Sequence, residues 1–274
     1  MGVTSMKRRP FFALASGLLG ALALPTGLVG AAEDSWTTVR AMLFADRAIA
    51  DGSARMRLEA PARALDAATV PVEIALLPEA SSAADPVRRL WLVIDNNPAP
   101  VAATFHLYPE AGVGRIETRV RVNAYTPVHA VAETASGTLF AVDRFVKAAG
   151  GCSAPALKDK ELAMARLGRM KFELLDPFEP GRVLRAKLKI GHPNYTGMQI
   201  DQVTRNWIPP DYVTKVDIRL DGKPLLFVEG DISLSEDPTF VFDFLAAKPG
   251  TLTAVVEDSS GRRFEERWQI GPTS

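Results

Sequence analysis

One side chain stands apart in its capacity for covalent chemistry. Cys152 is the only cysteine in the 274-residue chain. It lies in the run Phe145-Val146-Lys147-Ala148-Ala149-Gly150-Gly151-Cys152-Ser153-Ala154-Pro155. The thiolate is the nucleophile in cysteine chemistry, and its fraction rises near positive charge; Lys147, Lys158 and Lys160 are the cations close in sequence. Gly150 and Gly151 give the backbone a freedom that no other pair allows, which marks them as a hinge. From Lys147 to Cys152 an extended chain reaches about 17 Å, enough to carry the sulfur off a protein surface. A leftover cysteine is either packed and inert or kept for reaction. Small residues on both sides bring few bulky neighbours for a core, which favours reaction.

The other candidates for chemistry are sparse. A cysteine protease needs a base that polarises the thiol, and His106, His129 and His192 have no signature spacing to Cys152. His106 and His129 read as solvent-facing strand positions, and His192 as a loop residue bonded to its local backbone. Three scattered histidines and one cysteine lack metal-ligand spacing, so no metal is expected. Neither a phosphate loop nor a dinucleotide fingerprint is present, and Ala111-Gly112-Val113-Gly114 reads as a turn, so no cofactor is expected. A dithiol cycle within one chain is excluded by the single cysteine. The 32 basic and 32 acidic residues balance, which argues against nucleic acid as a partner.

The N-terminus reads as a targeting segment. Lys7, Arg8 and Arg9 precede an uncharged, Ala/Gly/Leu-rich run from Pro10 to Ala32, with small residues before a cleavage point near Ala32. Arg8-Arg9-Pro10-Phe11-Phe12 resembles a twin-arginine signal, although Lys7 stands where Ser or Thr is usual. Gly17, Gly20 and Pro25 make the run a poor membrane span. Cleavage leaves 29 basic against 32 acidic residues, a formal net charge of −3. An exported chain meets an oxidising compartment, which sharpens the question of why one thiol is kept.

The elements that must position the thiol are mostly strands. Residues 33–50 show helical spacing of Trp36, Val39, Leu43 and Ala50, closed by Gly52. Alternating strands follow from Val70, including Ile116, Thr118, Val120 and Val122 against a solvated face of Glu117, Arg119, Arg121 and Asn123. A hairpin around Ser136-Gly137 runs directly into the Gly-Gly-Cys stretch. Residues 156–167 read as a helical connector ended by Gly168. Beyond it, Asp221-Gly222 and Ser260-Gly261 mark hairpins, and Phe240, Phe242 and Phe244 line a core, giving a second sandwich of about seven strands. The chain is therefore expected to be all-β, with two immunoglobulin-like antiparallel β-sandwiches and an N-terminal helix.

Two stretches carry a family resemblance. Phe145 to Cys152 resembles the sulfur-binding tail of SoxY. His192-Pro193-Asn194-Tyr195-Thr196-Gly197, with the Phe240 and Trp268 regions, resembles SoxZ. Their order in one chain is similar to the fused SoxYZ-like carriers associated with quinoprotein dehydrogenases. After the signal peptide read over 1–32, the resemblance covers the mature chain and implies a SoxY-like sandwich over 33–148, the cysteine segment and linker helix over 149–168, and a SoxZ-like sandwich over 169–274. It implies intramolecular pairing of the two sandwiches, Cys152 as the covalent attachment point for a sulfur species, and Gly150 and Gly151 as the hinge. It further implies a periplasmic, non-enzymatic carrier whose partners are sulfur-metabolising enzymes or a quinoprotein dehydrogenase system. The alternative is a non-covalent docking module for such a dehydrogenase, with Cys152 incidental. In SoxY the cysteine lies at a free C-terminus within Gly-Gly-Cys-Gly-Gly; here Ser153-Ala154-Pro155 follows and the arm is tethered at both ends, which limits its reach.

Overall fold

The computed structural model describes residues 1–2, 35–78, 80, 84–155 and 160–271. The chain divides into a unit at Met1–Glu33 and a unit at Asp34–Ser274. The expected signal peptide over 1–32 falls almost wholly outside the described residues, and the second unit is the subject below.

Its elements are, in order, α1 (Ser35–Phe44), β1 (Ile49–Asp51), β2 (Met56–Glu59), β3 (Val70–Leu76), β4 (Val87–Ile94), β5 (Val101–Leu107), β6 (Arg115–Val120), β7 (Thr126–Thr134), β8 (Leu139–Val146), α2 (Lys160–Ala165), β9 (Met170–Leu174), β10 (Val183–Ile190), β11 (Val213–Leu220), β12 (Lys223–Gly230), β13 (Thr239–Leu245), β14 (Gly250–Asp258) and β15 (Arg263–Ile270). The strands form two sheets. One has nine strands in the order β1-β8-β7-β4-β5-β12-β11-β14-β15; the other has six, β2-β3-β6-β13-β10-β9. The protein is all-β, as its alternating patterns predict. In β6, Ile116, Thr118 and Val120 turn inward while Glu117 and Arg119 stay half-exposed. In β13, Phe240, Phe242 and Phe244 are fully buried, because successive strand side chains point to opposite faces.

The two halves share both sheets. β5 pairs with β12, from Leu107 opposite Leu226 to Ala103 opposite Gly230. β6 pairs with β13 at Ile116–Phe242 and Glu117–Val241. Edges that would otherwise present unpaired backbone groups are thereby consumed, and one apolar core runs through both halves. Phe105 of the first half meets Phe240 of the second edge to face, centroids 6.3 Å apart.

Several local expectations change. The N-terminal helix stops at Phe44, after which Ala45 takes φ +51°. Ala50 belongs not to the helix but to β1, which runs parallel to β8. The helix lies on the outer face of the nine-stranded sheet, Phe44 packing against Val131 and Leu139. The short strands β2 and β9 escape a reading that looks for long alternation. The connector helix covers only Lys160–Ala165, and residues 156–159 lie outside the described set. His129 is not solvent-facing: it is buried, stacks on Trp36 at 3.8 Å and bonds to Asp95 at 3.0 Å.

Because one core serves both halves, the unit should unfold in a single transition. Phe240→Ala is expected to lower stability by about 3–5 kcal/mol while keeping far-UV circular dichroism and tryptophan fluorescence transitions coincident in urea. Two separated transitions would contradict a shared core.

Candidate functional site

The cysteine segment leaves β8 and crosses the junction of the halves. Lys147 bridges Arg63 in parallel, its N–H donating to the Ala62 carbonyl at 3.0 Å. Gly150 takes φ +77°, a conformation open mainly to glycine, and donates to the Asn123 carbonyl at 2.9 Å. Gly151 donates to the Val122 carbonyl at 3.0 Å. Both bonds lie outside any strand ladder. A Cβ at Gly151 would overlap the Ala67 carbonyl oxygen and stand 2.7 Å from that of Val122, so only glycine allows this close approach.

The second half holds the other side of the segment. Thr196 Oγ1 donates to the Cys152 carbonyl at 2.6 Å, and Gln199 Nε2 to that of Ala154 at 2.9 Å. The loop supplying Thr196 is itself tied down by hydrogen bonds. Asn194, at φ +48°, donates through Nδ2 to the Leu234 carbonyl at 2.9 Å and accepts through Oδ1 from the Val213 N–H at 2.9 Å. His192 accepts through Nδ1 from the Asn194 N–H at 3.1 Å, the local backbone bond its sequence position suggests. The His-Pro-Asn-Tyr-Thr-Gly motif is thus a bracket for the cysteine segment.

The sulfur is therefore not where the residues alone place it. Cys152 has 0% relative exposure, which corrects the expectation of an accessible thiol on an open arm. Yet Ala149, Ser153 and Pro155 on either side of it are exposed. Gly150 and Gly151 sit docked in this arrangement, and a hinge action belongs to a reading of function rather than to the observed contacts.

The charge near the sulfur also differs from expectation. Lys147 is exposed, Lys158 lies outside the described residues, and the side chain of Lys160 is not described. The cation acting on Cys152 is Arg121. Its place in an alternating strand predicts solvent, but β6 ends at Val120, and Val120, Arg121 and Val122 are all buried, Arg121 at 2% exposure. Its Nη1 donates to the Gly151 carbonyl at 3.2 Å and its Nη2 to that of Asn194 at 3.5 Å. Nothing in the local pattern reveals this; it follows from the two halves closing over the end of β6. Burial pushes the Cys152 thiol up to about 11, with the Arg121 guanidinium pulling the other way, so the resting group is a neutral thiol.

No histidine among the described residues hydrogen-bonds to the sulfur. His106 Nε2 pairs with Glu229 at 2.7 Å. His192, Asp211 and Asp258 do bring their ligand atoms within 4.8 Å of one another. Arg262 lies among them, however, with Nη2 at 2.5 Å from both Asp211 oxygens and Nε at 2.6 Å from Asp258 Oδ2. That one guanidinium pairs with both carboxylates and offsets one of their two charges, while burial lowers the pKa of His192, leaving a neutral imidazole beside an ion-pair network that braces the bracket.

Two outcomes follow from this packing. Gly151→Ala should force the segment out; releasing about 1–3 kcal/mol of overpacking should speed iodoacetamide labelling of Cys152 at pH 8 roughly tenfold or more, with the fold retained by circular dichroism. Unchanged labelling would contradict a close-packed Gly151. Separately, a thiol whose pKa is raised in the folded chain contributes stability below the unfolded value of about 8.5, and this is lost as pH rises toward 11. The urea midpoint of the wild-type chain should fall more steeply between about pH 9 and 11 than that of Cys152→Ala.

Comparison with known proteins agrees with these two halves. The family model of the sulfur oxidation protein SoxY matches residues 40–152, and that of the sulphur oxidation protein SoxZ matches residues 175–269. No curated protein matches the chain. Among solved structures, the sulfur carrier protein SoxY from Chlorobium limicola f thiosulfatophilum aligns at 22% identity over 40% of this chain and 89% of its own, with a TM-score of 0.34. A beta-glycosidase from Bacteroides vulgatus aligns at 13% identity over 78% of this chain and 24% of its own, with a TM-score of 0.24. The two domain families support a carrier role in sulfur oxidation. With a SoxY domain ending on Cys152 and a SoxZ domain following it, the chain belongs to the fused SoxYZ-like proteins.

Proposed function

We propose that this chain is an exported covalent carrier that holds a sulfur-containing intermediate on Cys152 and presents it to periplasmic partner enzymes. The observation that carries this reading is positional: the SoxY match ends on the chain's only cysteine, between the SoxY and SoxZ matches. Docked, the segment shields an adduct from other thiols. Released at Gly150 and Gly151, it exposes the sulfur for loading or delivery. The bonds to be broken are few and mostly run to carbonyls, so release need not disturb the sheets. The adduct is a persulfide or thiosulfonate on Sγ. Joining a thiol to a sulfur anion is a two-electron oxidation, so the loading partner must supply an electron acceptor. The carrier needs no cofactor and performs no turnover by itself. Cleavage near Ala32 and periplasmic residence follow from the basic and uncharged N-terminal run.

The full burial of the thiol favours a second reading, in which the chain is a non-covalent accessory of a periplasmic quinoprotein dehydrogenase system. Cys152→Ser separates the two. Under the carrier reading, sulfur-dependent function is lost while the fold is kept, and mass spectrometry of wild-type protein from its native periplasm shows sulfur adducts on Cys152 whose abundance follows sulfur supply. Unmodified thiol under every sulfur supply, with full function in Cys152→Ser, would overturn it.

A further inference from the structure

Arg121 is a buried cation without a counter-ion. It is 98% removed from solvent by its 2% exposure, and both recorded acceptors for its guanidinium are neutral carbonyls. Its Nε is buried without a hydrogen-bond partner. No carboxylate among the described residues lies within ion-pair distance: Glu236 and Asp66 act on it from further away, Glu236 engaged by Arg166 at 2.9 Å and Asp66 by the Ala68 N–H and Thr69 Oγ1. An uncompensated buried charge is costly, and the protein places this one beside the single cysteine. The resting Cys152 thiol is neutral and cannot discharge it.

We propose that Arg121 is the built-in counter-ion for a negatively charged sulfur adduct on Cys152, so that loading completes an ion pair that the empty carrier lacks. This rests on the carrier reading and deepens it: the cargo class is anionic at its free end, a sulfonate or a terminal sulfur anion, and the loaded segment is held more tightly than the empty one. The guanidinium keeps donors free in addition to the two that hold Gly151 and Asn194, and its planar array suits oxygens of a sulfonate. Arg121 is a positioning residue here. It orients and retains the adduct and takes no part in bond making.

The test compares charged with neutral adducts of similar bulk. Tetrathionate converts the thiol to Cys–S–S–SO₃⁻: the thiol loses its proton and joins an inner sulfur of the reagent, whose central S–S bond breaks to release thiosulfate. Methyl methanethiosulfonate gives the neutral Cys–S–S–CH₃ and releases methanesulfinic acid. Polysulfide gives Cys–S–S⁻: the thiol loses its proton and joins a sulfur of the reagent, whose adjacent S–S bond breaks to release the shortened polysulfide, and this product tells a bare sulfur anion from sulfonate oxygens. Each product is verified by mass spectrometry before thermal unfolding of the full chain. In the wild-type protein the thiosulfonate form should melt higher than the methyl disulfide form by roughly 3 °C or more, the scale of a single partly buried ion pair in a unit of this size. That difference should vanish or reverse in Arg121→Met, as a double-mutant cycle requires. A matching gain in the polysulfide sample makes charge the determinant; a gain confined to tetrathionate narrows the ligand to oxygen-bearing anions. Equal midpoints for charged and neutral adducts in the wild type, or the same difference in Arg121→Met, overturn the role of Arg121 and leave the carrier reading standing. Failure of Cys152 to take any adduct overturns both. Should Arg121→Met not fold, Arg121→Lys and the wild-type comparison decide.

Discussion

Everything about this protein's sulfur depends on the two halves being sewn together along both sheets. The β5–β12 and β6–β13 pairings leave neither half with a free inner edge, and a common core follows. They also fix the distance between the end of β6 and the loop after β10. Into that gap the segment from Lys147 to Pro155 fits, with donors from both sides closing on its carbonyls. Had the halves been beads on a linker, the same residues would form an open arm.

The environment of Cys152 balances two opposed effects. Desolvation disfavours the thiolate, and a guanidinium beside it favours any anion. For the bare thiol, desolvation wins. An anion that cannot take up a proton at neutral pH still pays desolvation, and a guanidinium beside it is the group that can offset that cost. The proposed role of Arg121 thus distinguishes empty from loaded by charge rather than by shape.

Tethering at both ends alters what a carrier arm can do. A free tail sweeps a volume, whereas a segment held at both ends has a shorter reach. Here the flanks Ala149, Ser153 and Pro155 are exposed and the centre at Gly151 and Cys152 is buried. The glycines serve two purposes in that account. Gly150 supplies a left-handed turn, and Gly151 permits a backbone approach that any side chain would block.

Much of this was legible in the chain. Alternation in β6 and β13, the Asp221-Gly222 and Ser260-Gly261 turns, and the pairing of a Gly-Gly-Cys stretch with a His-Pro-Asn-Tyr-Thr-Gly motif announce the strands, the fold class and the family, because period-two patterns and turn chemistry are local properties. The short strands β1, β2 and β9 were not legible, since three to five residues carry too little periodicity. Nor was the burial of Cys152, Arg121 or His129. Each looks exposed or mobile when judged by its neighbours in sequence. Burial is decided by what distant parts of the chain lay over a residue, the second half over Cys152 and Arg121 and Trp36 over His129, and no local pattern encodes those partners.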